Sequence, residues 1–318
     1  MSILTLGGGA FGGMDQLSVD TLISTGIDAG VSRVDTAPLY GDSEMRIGKY
    51  LRKNKGLDLN ISTKIGIPAS LILDSKITTP RRFNSYELSP RIINESVRSS
   101  LIKLGVESVN TIYLHSVDSA HFTDENIAAL LSLKKLGLVK HLGYAGDGFN
   151  LECALKFVEF DAFLMTLNCI DQMNMPYAKL AGLESRLVIK RALGNGVWRT
   201  KNHSLSKRTK DEIAQITSLD KKIRRWLKVN TVSGFTSYEY RLNKMFGRSR
   251  NQDFTSTFLN FALSIPGVES VLLGTTNPKH LLRAIEIESE MDRFVETELA
   301  KIESNFKYHS NESWGPHI

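Results

Sequence analysis

Cysteine is almost absent from this chain. Its 318 residues hold two, Cys153 and Cys169, both in apolar surroundings and without Cys-x-x-Cys or Cys/His ligand spacing. That excludes a disulfide framework and a thiolate zinc site, leaves no metal to expect, and reads as buried structural thiols. Long apolar runs are missing too: nothing approaches 18 consecutive apolar residues, so no membrane partner is expected. The opening MSILTLGGGAFGG lacks the basic start and full apolar stretch of a secretion signal, and the expected location is cytoplasmic. With 42% hydrophobic and 23% charged residues, disorder, collagen and coiled coil are excluded as the main state. No linker composition splits the chain, which reads as one domain over 1–318.

Charge is unevenly spread. The net charge is +6, yet between Gly194 and Arg250 fourteen Lys and Arg face four acids, leaving twenty-six against thirty elsewhere. One segment carries the basicity. No nucleic-acid motif or interleaving of aromatic and basic residues accompanies it, so nucleic acid is not an expected partner.

Read for periodicity, the chain repeats a β-rich run followed by an amphipathic helix. The predicted strands are Ile3–Gly7, Val31–Ala37, Leu59–Ile65, Val109–His115, Val139–Ala145, Phe160–Leu167, Arg186–Ala192 and Glu269–Thr275. Helical patterns follow at Ser18–Ala29, Ser43–Arg52, Ser89–Leu104, Thr123–Leu136, Leu151–Phe157, Tyr177–Leu183, Thr255–Ser264 and Pro278–Ile287. Eight such units predict an α/β fold, a closed (β/α)8 TIM barrel. Two connections are long enough to be functional: Gly66 to Ser89, and the basic loop after strand seven. An extra C-terminal helix is expected over Glu288–Asn305.

The cluster Gly7-Gly8-Gly9-Ala10-Phe11-Gly12 follows strand one and formally matches the G-x-G-x-x-G of a dinucleotide-binding unit, with Asp35 near the position of a ribose-binding acid. A phosphate-binding turn of that kind needs its helix to start at the last glycine, and five residues intervene here before Ser18. The competing reading is that the glycines let the chain at the mouth of strand one approach a ligand closely, which a barrel also requires.

A sharper pattern is a set of polar residues at strand ends: Asp35 in VDTAPLYG, Tyr40 just beyond it, Lys64 in STKIG and His115 in IYLHS. In a parallel barrel the ends of strands two, three and four are neighbours, so the four converge on one pocket mouth. Each alone has a plain structural explanation: a turn cap, a half-buried ring, a snorkelling lysine, a satisfied core histidine.

Taken together, these residues make the chain resemble the aldo-keto reductases. The resemblance runs from LTLGGGAFGG through VDTAPLYGDSEMRIGKYL, STKIG, SPRIINESVRSSLIKLGVESVNTIYLHSVD and LKKLGLVKHLGYAG to PGVESVLLGTTNPKHLLRAI. It implies a catalytic tetrad of Asp35, Tyr40, Lys64 and His115, and reduction of an aldehyde or ketone by a nicotinamide cofactor, NADPH favoured with NADH as the alternative. Carbonyl reduction leaves negative charge on oxygen, which a proton donor must meet. Tyr40 is the expected donor, its phenol made more acidic by Lys64, with Asp35 holding the ammonium and His115 orienting the carbonyl. The resemblance implies cofactor contacts from Gly9, Asp35, Asn168, Arg191, Ala192, Leu193, Gly274, Thr275, Thr276, Asn277, Lys279, His280 and Arg283. Ala145-Gly146, Leu164 and Arg191 stand where the family often has Ser-Asn, Gln and a stacking aromatic, so Asn168 or Asp147 is expected to take over part of the nicotinamide contact. The basic loop suggests a small-molecule substrate with negative charge, such as an anionic sugar derivative, against the alternative of a merely solvated helix. A dinucleotide-holding regulatory or scaffold subunit of the same fold is the reading without catalysis. Oligomeric state is left open.

Overall fold

The computed structural model describes residues 2–66, 88–181, 185–194, 254–290 and 302. Most of the connection after strand three, the basic segment 195–253 and most of the expected helix from Glu288 to Asn305 lie outside the described residues.

Eight parallel strands close into a barrel in sequence order, as the alternating pattern predicts. They are β1 Leu4–Gly7, β2 Arg33–Asp35, β3 Asn60–Ile65, β4 Val109–His115, β5 Val139–Ala145, β6 Ala162–Thr166, β7 Arg186–Lys190 and β8 Val268–Gly274. The outer layer holds α1 Gln16–Asp28, α2 Ser43–Lys53, α3 Pro90–Leu104, α4 Asp124–Lys135, α5 Gly148–Ala154, α6 Met175–Ala181, α7 Thr255–Ser264 and α8 Pro278–Ser289. Among the described residues no helix is long and apolar enough to cross a membrane.

Strand alternation decides where the core sits. In β3, Ile61 and Ile65 join the large apolar cluster packed against the helices, while Asn60 and Ser62 line the barrel interior. The same alternation sends Leu4 and Leu6, Ile112 and Leu114, and Leu187 and Ile189 outward into that cluster. Apolar packing inside the barrel is confined to a small group around Tyr113, Ala145, Ala162 and Leu164. Interior space is therefore left to polar side chains, an arrangement that favours chemistry over packing at the axis.

Local signals place the helices that carry the site strands. Ser89 caps α3 by accepting from the amide of Ile92, Pro90 opens its first turn, and Gly105 ends it in left-handed geometry at φ 69°, as cap chemistry requires. Thr123 caps α4, whose first turn is acidic and last turn basic, matching the helix dipole. Helix α1 begins earlier than predicted, because Asp15 caps it by accepting from the amide of Ser18. Residues Glu288 and Ser289 belong to α8, and Glu288 ties that helix to the first strand by accepting from the amide of Ile3 at 2.6 Å.

Candidate active site

The glycine cluster does not form a dinucleotide turn. Residues Gly8–Gly13 make a short 3-10 helix that ends before α1, and β1 pairs with both β2 and β8 in a closed barrel, whereas the dinucleotide motif belongs to an open sheet. The close approach permitted by glycine is to the chain's own backbone. A Cβ on Gly12 would stand 2.1 Å from the Tyr40 carbonyl oxygen, and one on Gly8 would stand 2.9 Å from that of Asp35. Gly9 is exposed with open space beside it. The cluster thus seats the turn that bears Tyr40.

Asp35 ends β2, Lys64 is the penultimate residue of β3, His115 ends β4, and Tyr40 closes the short 3-10 turn Pro38–Tyr40. The structure brings all four together. Lys64, almost wholly buried, forms an ion pair with buried Asp35 and donates to the carbonyl oxygen of Thr36 at 2.8 Å. Its ammonium lies 4.9 Å from the centre of the Tyr40 ring, near enough for its charge to act on the phenol. The Tyr40 and His115 rings meet edge to face with centres 6.0 Å apart.

Electrostatics follow from burial and these pairs. Desolvation opposes the charge on Lys64, but Asp35 and then Tyr40 outweigh it and raise its pKa, so the ammonium stays protonated. Burial lowers the His115 pKa well below the usual imidazole value, with Lys64 and Lys190 adding to the effect, so the ring is neutral at pH 7. For Tyr40 the net direction differs from the sequence expectation. Burial pushes the phenol above its ordinary value and Lys64 pulls it down by less. In this state Tyr40 holds its proton, and the acidifying influence of Lys64 is present as an opposing contribution.

Sequence reasoning missed Ser62, which donates to the second oxygen of Asp35 at 2.9 Å. Its signal was the period of two in STKIG, which puts Ser62 on the same strand face as Lys64. Beneath this pair lies a cavity of about 30 Å³ bordered by Asp35, Ser62, Thr111 and, at the barrel floor, Arg33, Arg186 and Glu269. Such a volume holds one or two waters.

The rim beyond the tetrad is charged. Lys190, the last residue of β7, pairs with Asp147 at 3.1 Å. Asp147 also accepts from the Thr166 amide at 2.7 Å and from Asn174 at 2.8 Å, so its oxygens are fully engaged within the protein. Asn168 is committed as well: its oxygen accepts from the amides of Ile170 and Asp171, and its nitrogen donates to the carbonyl of Arg191 at 3.0 Å. Ala192 is buried in the main apolar cluster and Leu193, partly exposed, packs against it. Ala145, Gly146 and Leu164 offer no polar side chain, and Leu164 packs inside the barrel. Buried Asp171, which the sequence did not single out, keeps one oxygen with no hydrogen-bond partner among the described residues. Burial raises its pKa to about 6, helped by nearby Asp147.

Gly274, Thr275, Thr276, Asn277, Lys279, His280 and Arg283 lie on the β8–α8 turn and the first turns of α8. Asn277 caps the helix by accepting from the Lys279 amide at 3.0 Å. Gly274 is level with Gly7 in the β1–β8 register and has open space around it. Around the rim, β7, β8, β1, β2, β3 and β4 therefore carry Arg191, Gly274, Gly9, Asp35, Lys64 and His115 in one continuous arc.

The profile of the Aldo/keto reductase family matches residues 3–305. Among curated relatives, an aldo-keto reductase of Strobilurus tenacellus is 34% identical over 129 residues, covering 40% of this chain and 32% of that protein. The NADH-specific methylglyoxal reductase of Escherichia coli (strain K12) is 29% identical over 165 residues, covering 49% and 50%. These matches span a third to a half of the relatives' lengths. The holo form of an aldo-keto reductase from Bacillus halodurans superposes with a TM-score of 0.72 at 18% identity, covering 98% of this chain and 94% of that one, a likeness of fold. On the family match over nearly its whole length, this chain belongs to the aldo/keto reductase family.

Proposed function

We propose that the protein reduces the carbonyl group of an aldehyde or ketone to an alcohol with a nicotinamide dinucleotide, using Tyr40 as proton donor. The observation that carries the reading is the buried ammonium of Lys64, fixed by Asp35 and lying 4.9 Å from the centre of the Tyr40 ring, with His115 edge-on to the same ring. A reduced nicotinamide supplies the hydride when bound, since no side chain can. Tyr40 holds a proton at its hydroxyl and releases it to the carbonyl oxygen as negative charge develops there. The charge left on the phenol oxygen meets the Lys64 ammonium, which costs no reorganisation because Asp35 and the Thr36 carbonyl already hold it. Neutral His115 beside the ring supplies a hydrogen bond that orients the carbonyl.

The rim fits a dinucleotide by its chemistry. Gly9 and Gly274 leave open space on the rim, and the first turn of α8 offers amides to a phosphate. Exposed Lys279, His280 and Arg283 favour the 2′-phosphate of NADPH, and NADH, the cofactor named for the Escherichia coli relative, is the comparison arm. The reading extends to a small, negatively charged substrate, in keeping with the basic segment 195–253, and to a cytoplasmic location.

The test is Tyr40→Phe. Fluorescence titration of the variant with NADPH should give wild-type affinity, while oxidation of NADPH by a generic aldehyde should fall at least about a thousandfold. Wild-type binding of NADPH without turnover on any carbonyl would favour the regulatory subunit instead.

A further inference from the structure

Lys64 hangs on two acceptors, and both belong to one dipeptide at the end of β2. Its ammonium pairs with the Asp35 carboxylate and donates to the Thr36 carbonyl oxygen at 2.8 Å. Where that dipeptide sits therefore decides where the ammonium sits. Ser62 grips it at both residues. In the β2–β3 register Ser62 stands opposite Asp35; its carbonyl oxygen accepts from the Thr36 amide at 2.8 Å, and its hydroxyl donates to the second Asp35 oxygen at 2.9 Å. Among the described residues, Asp35 accepts no side-chain hydrogen bond besides those of Ser62 and Lys64. One carboxylate oxygen is thus committed to each, and the two bonds together fix the plane of the group. Ser62 lies one two-residue step, about 7 Å, before Lys64 on the same strand face and so deeper in the barrel, where it lines the cavity beneath the tetrad with Asn60 and Thr111.

We propose that Ser62 is a positioning residue for the proton transfer: its hydroxyl orients the Asp35 carboxylate and, through it, the Lys64 ammonium that meets the charge left on Tyr40. The inference rests on the carbonyl-reductase reading. Hydride goes from the dinucleotide to the carbonyl carbon and the Tyr40 proton to the oxygen, while Ser62 gains and loses nothing. A hydrogen bond to a charged acceptor is of the strong kind, and its loss acts on Tyr40 in two ways of one sign. A carboxylate without it turns more of its charge on the phenol, and a carboxylate free to rotate holds the ammonium less closely. Asp35 raises the Tyr40 pKa and Lys64 lowers it, so both changes make the phenol a poorer acid.

Wild type, Ser62→Ala, Ser62→Val and Ser62→Thr are compared on benzaldehyde with NADPH, with dinucleotide affinity measured by fluorescence titration and folding checked by circular dichroism. Val and Thr share a shape, and the cavity beside residue 62 has room for the methyl group that both add, so this pair isolates the hydroxyl. Ser62→Ala and Ser62→Val should lower kcat about tenfold, with KM and NADPH affinity within about twofold of wild type. The basic limb of their kcat/KM pH profile should move up by about one unit, the same tenfold change read as acidity. Ser62→Thr, which keeps the donor, should recover most of both. If Ser62→Val does not fold, Ser62→Ala against Ser62→Thr gives the same reading. An unmoved limb in the variants without a hydroxyl overturns the proposal, as does an equal loss in Ser62→Thr, which makes residue 62 a packing position only. A loss confined to KM or to NADPH affinity overturns it too. A wild type that binds NADPH and reduces no aldehyde overturns the reductase reading and this proposal with it.

Discussion

A single carboxylate, Asp171, shows how the site sets the charge of its own residues. Buried, with one oxygen unpartnered and Asp147 nearby, it ionises at about 6 instead of 3.8. A carboxyl whose folded pKa is raised binds more protons folded than unfolded between those values, so its contribution is fully present below about 4 and is lost as pH rises through 6. Asp171→Asn mimics the protonated form. Thermal unfolding should therefore show the variant more stable than wild type at pH 7.5, by about 2 to 3 kcal/mol at most, with the gap closing at pH 4.5. His115 has the opposite sign: its pKa is depressed, so its contribution is present above about 6.5 and is lost as pH falls.

At the scale of elements, the turn bearing Tyr40 depends on the loop after β1. Gly12→Ala would drive a Cβ into the Tyr40 carbonyl at 2.1 Å, and backbone cannot yield as a flexible side-chain tip can. Chemical denaturation should show a loss of about 1 to 3 kcal/mol, and turnover should fall further than stability alone explains, because Tyr40 is displaced from Lys64. Element order and most boundaries were legible in the sequence, since a period of two in the strands and capped helices after them are local signals; β4 and β5 run over the predicted residues. The ends of β2 and β6 were overdrawn by up to two residues each side, where β-rich composition continues into loops that do not pair. The meeting of Asp35, Tyr40, Lys64 and His115 was readable because three stand at or next to the ends of neighbouring strands and Tyr40 follows β2 by one short turn. The role of Gly12 was not, because a contact between residues 28 positions apart leaves no periodic trace. Nor were the internal bonds of Asn168 and Asp147, which depend on how two loops meet.

For the whole molecule, closure of the barrel is stitched at its floor as well as along its ladders. Glu269 pairs with both Arg186 and Arg33, the latter at 3.4 Å, so one carboxylate at the start of β8 reaches β7 on one side and, past β1, β2 on the other. Glu269→Ala leaves two guanidinium groups facing each other without a counter-charge. Urea unfolding should show a loss of about 1 to 2 kcal/mol, between the value of a surface pair and that of a buried one, with the m-value unchanged. The residues at this floor are partly exposed, and the cavity they border extends up to Asp35. Bulk water thus has a back door to the carboxylate, separate from the entrance that a ligand would plug. The hydroxyl hydrogen of Ser62 should go on exchanging with deuterium while the front is blocked, which would leave the Asp35 carboxylate in protonic contact with solvent from below.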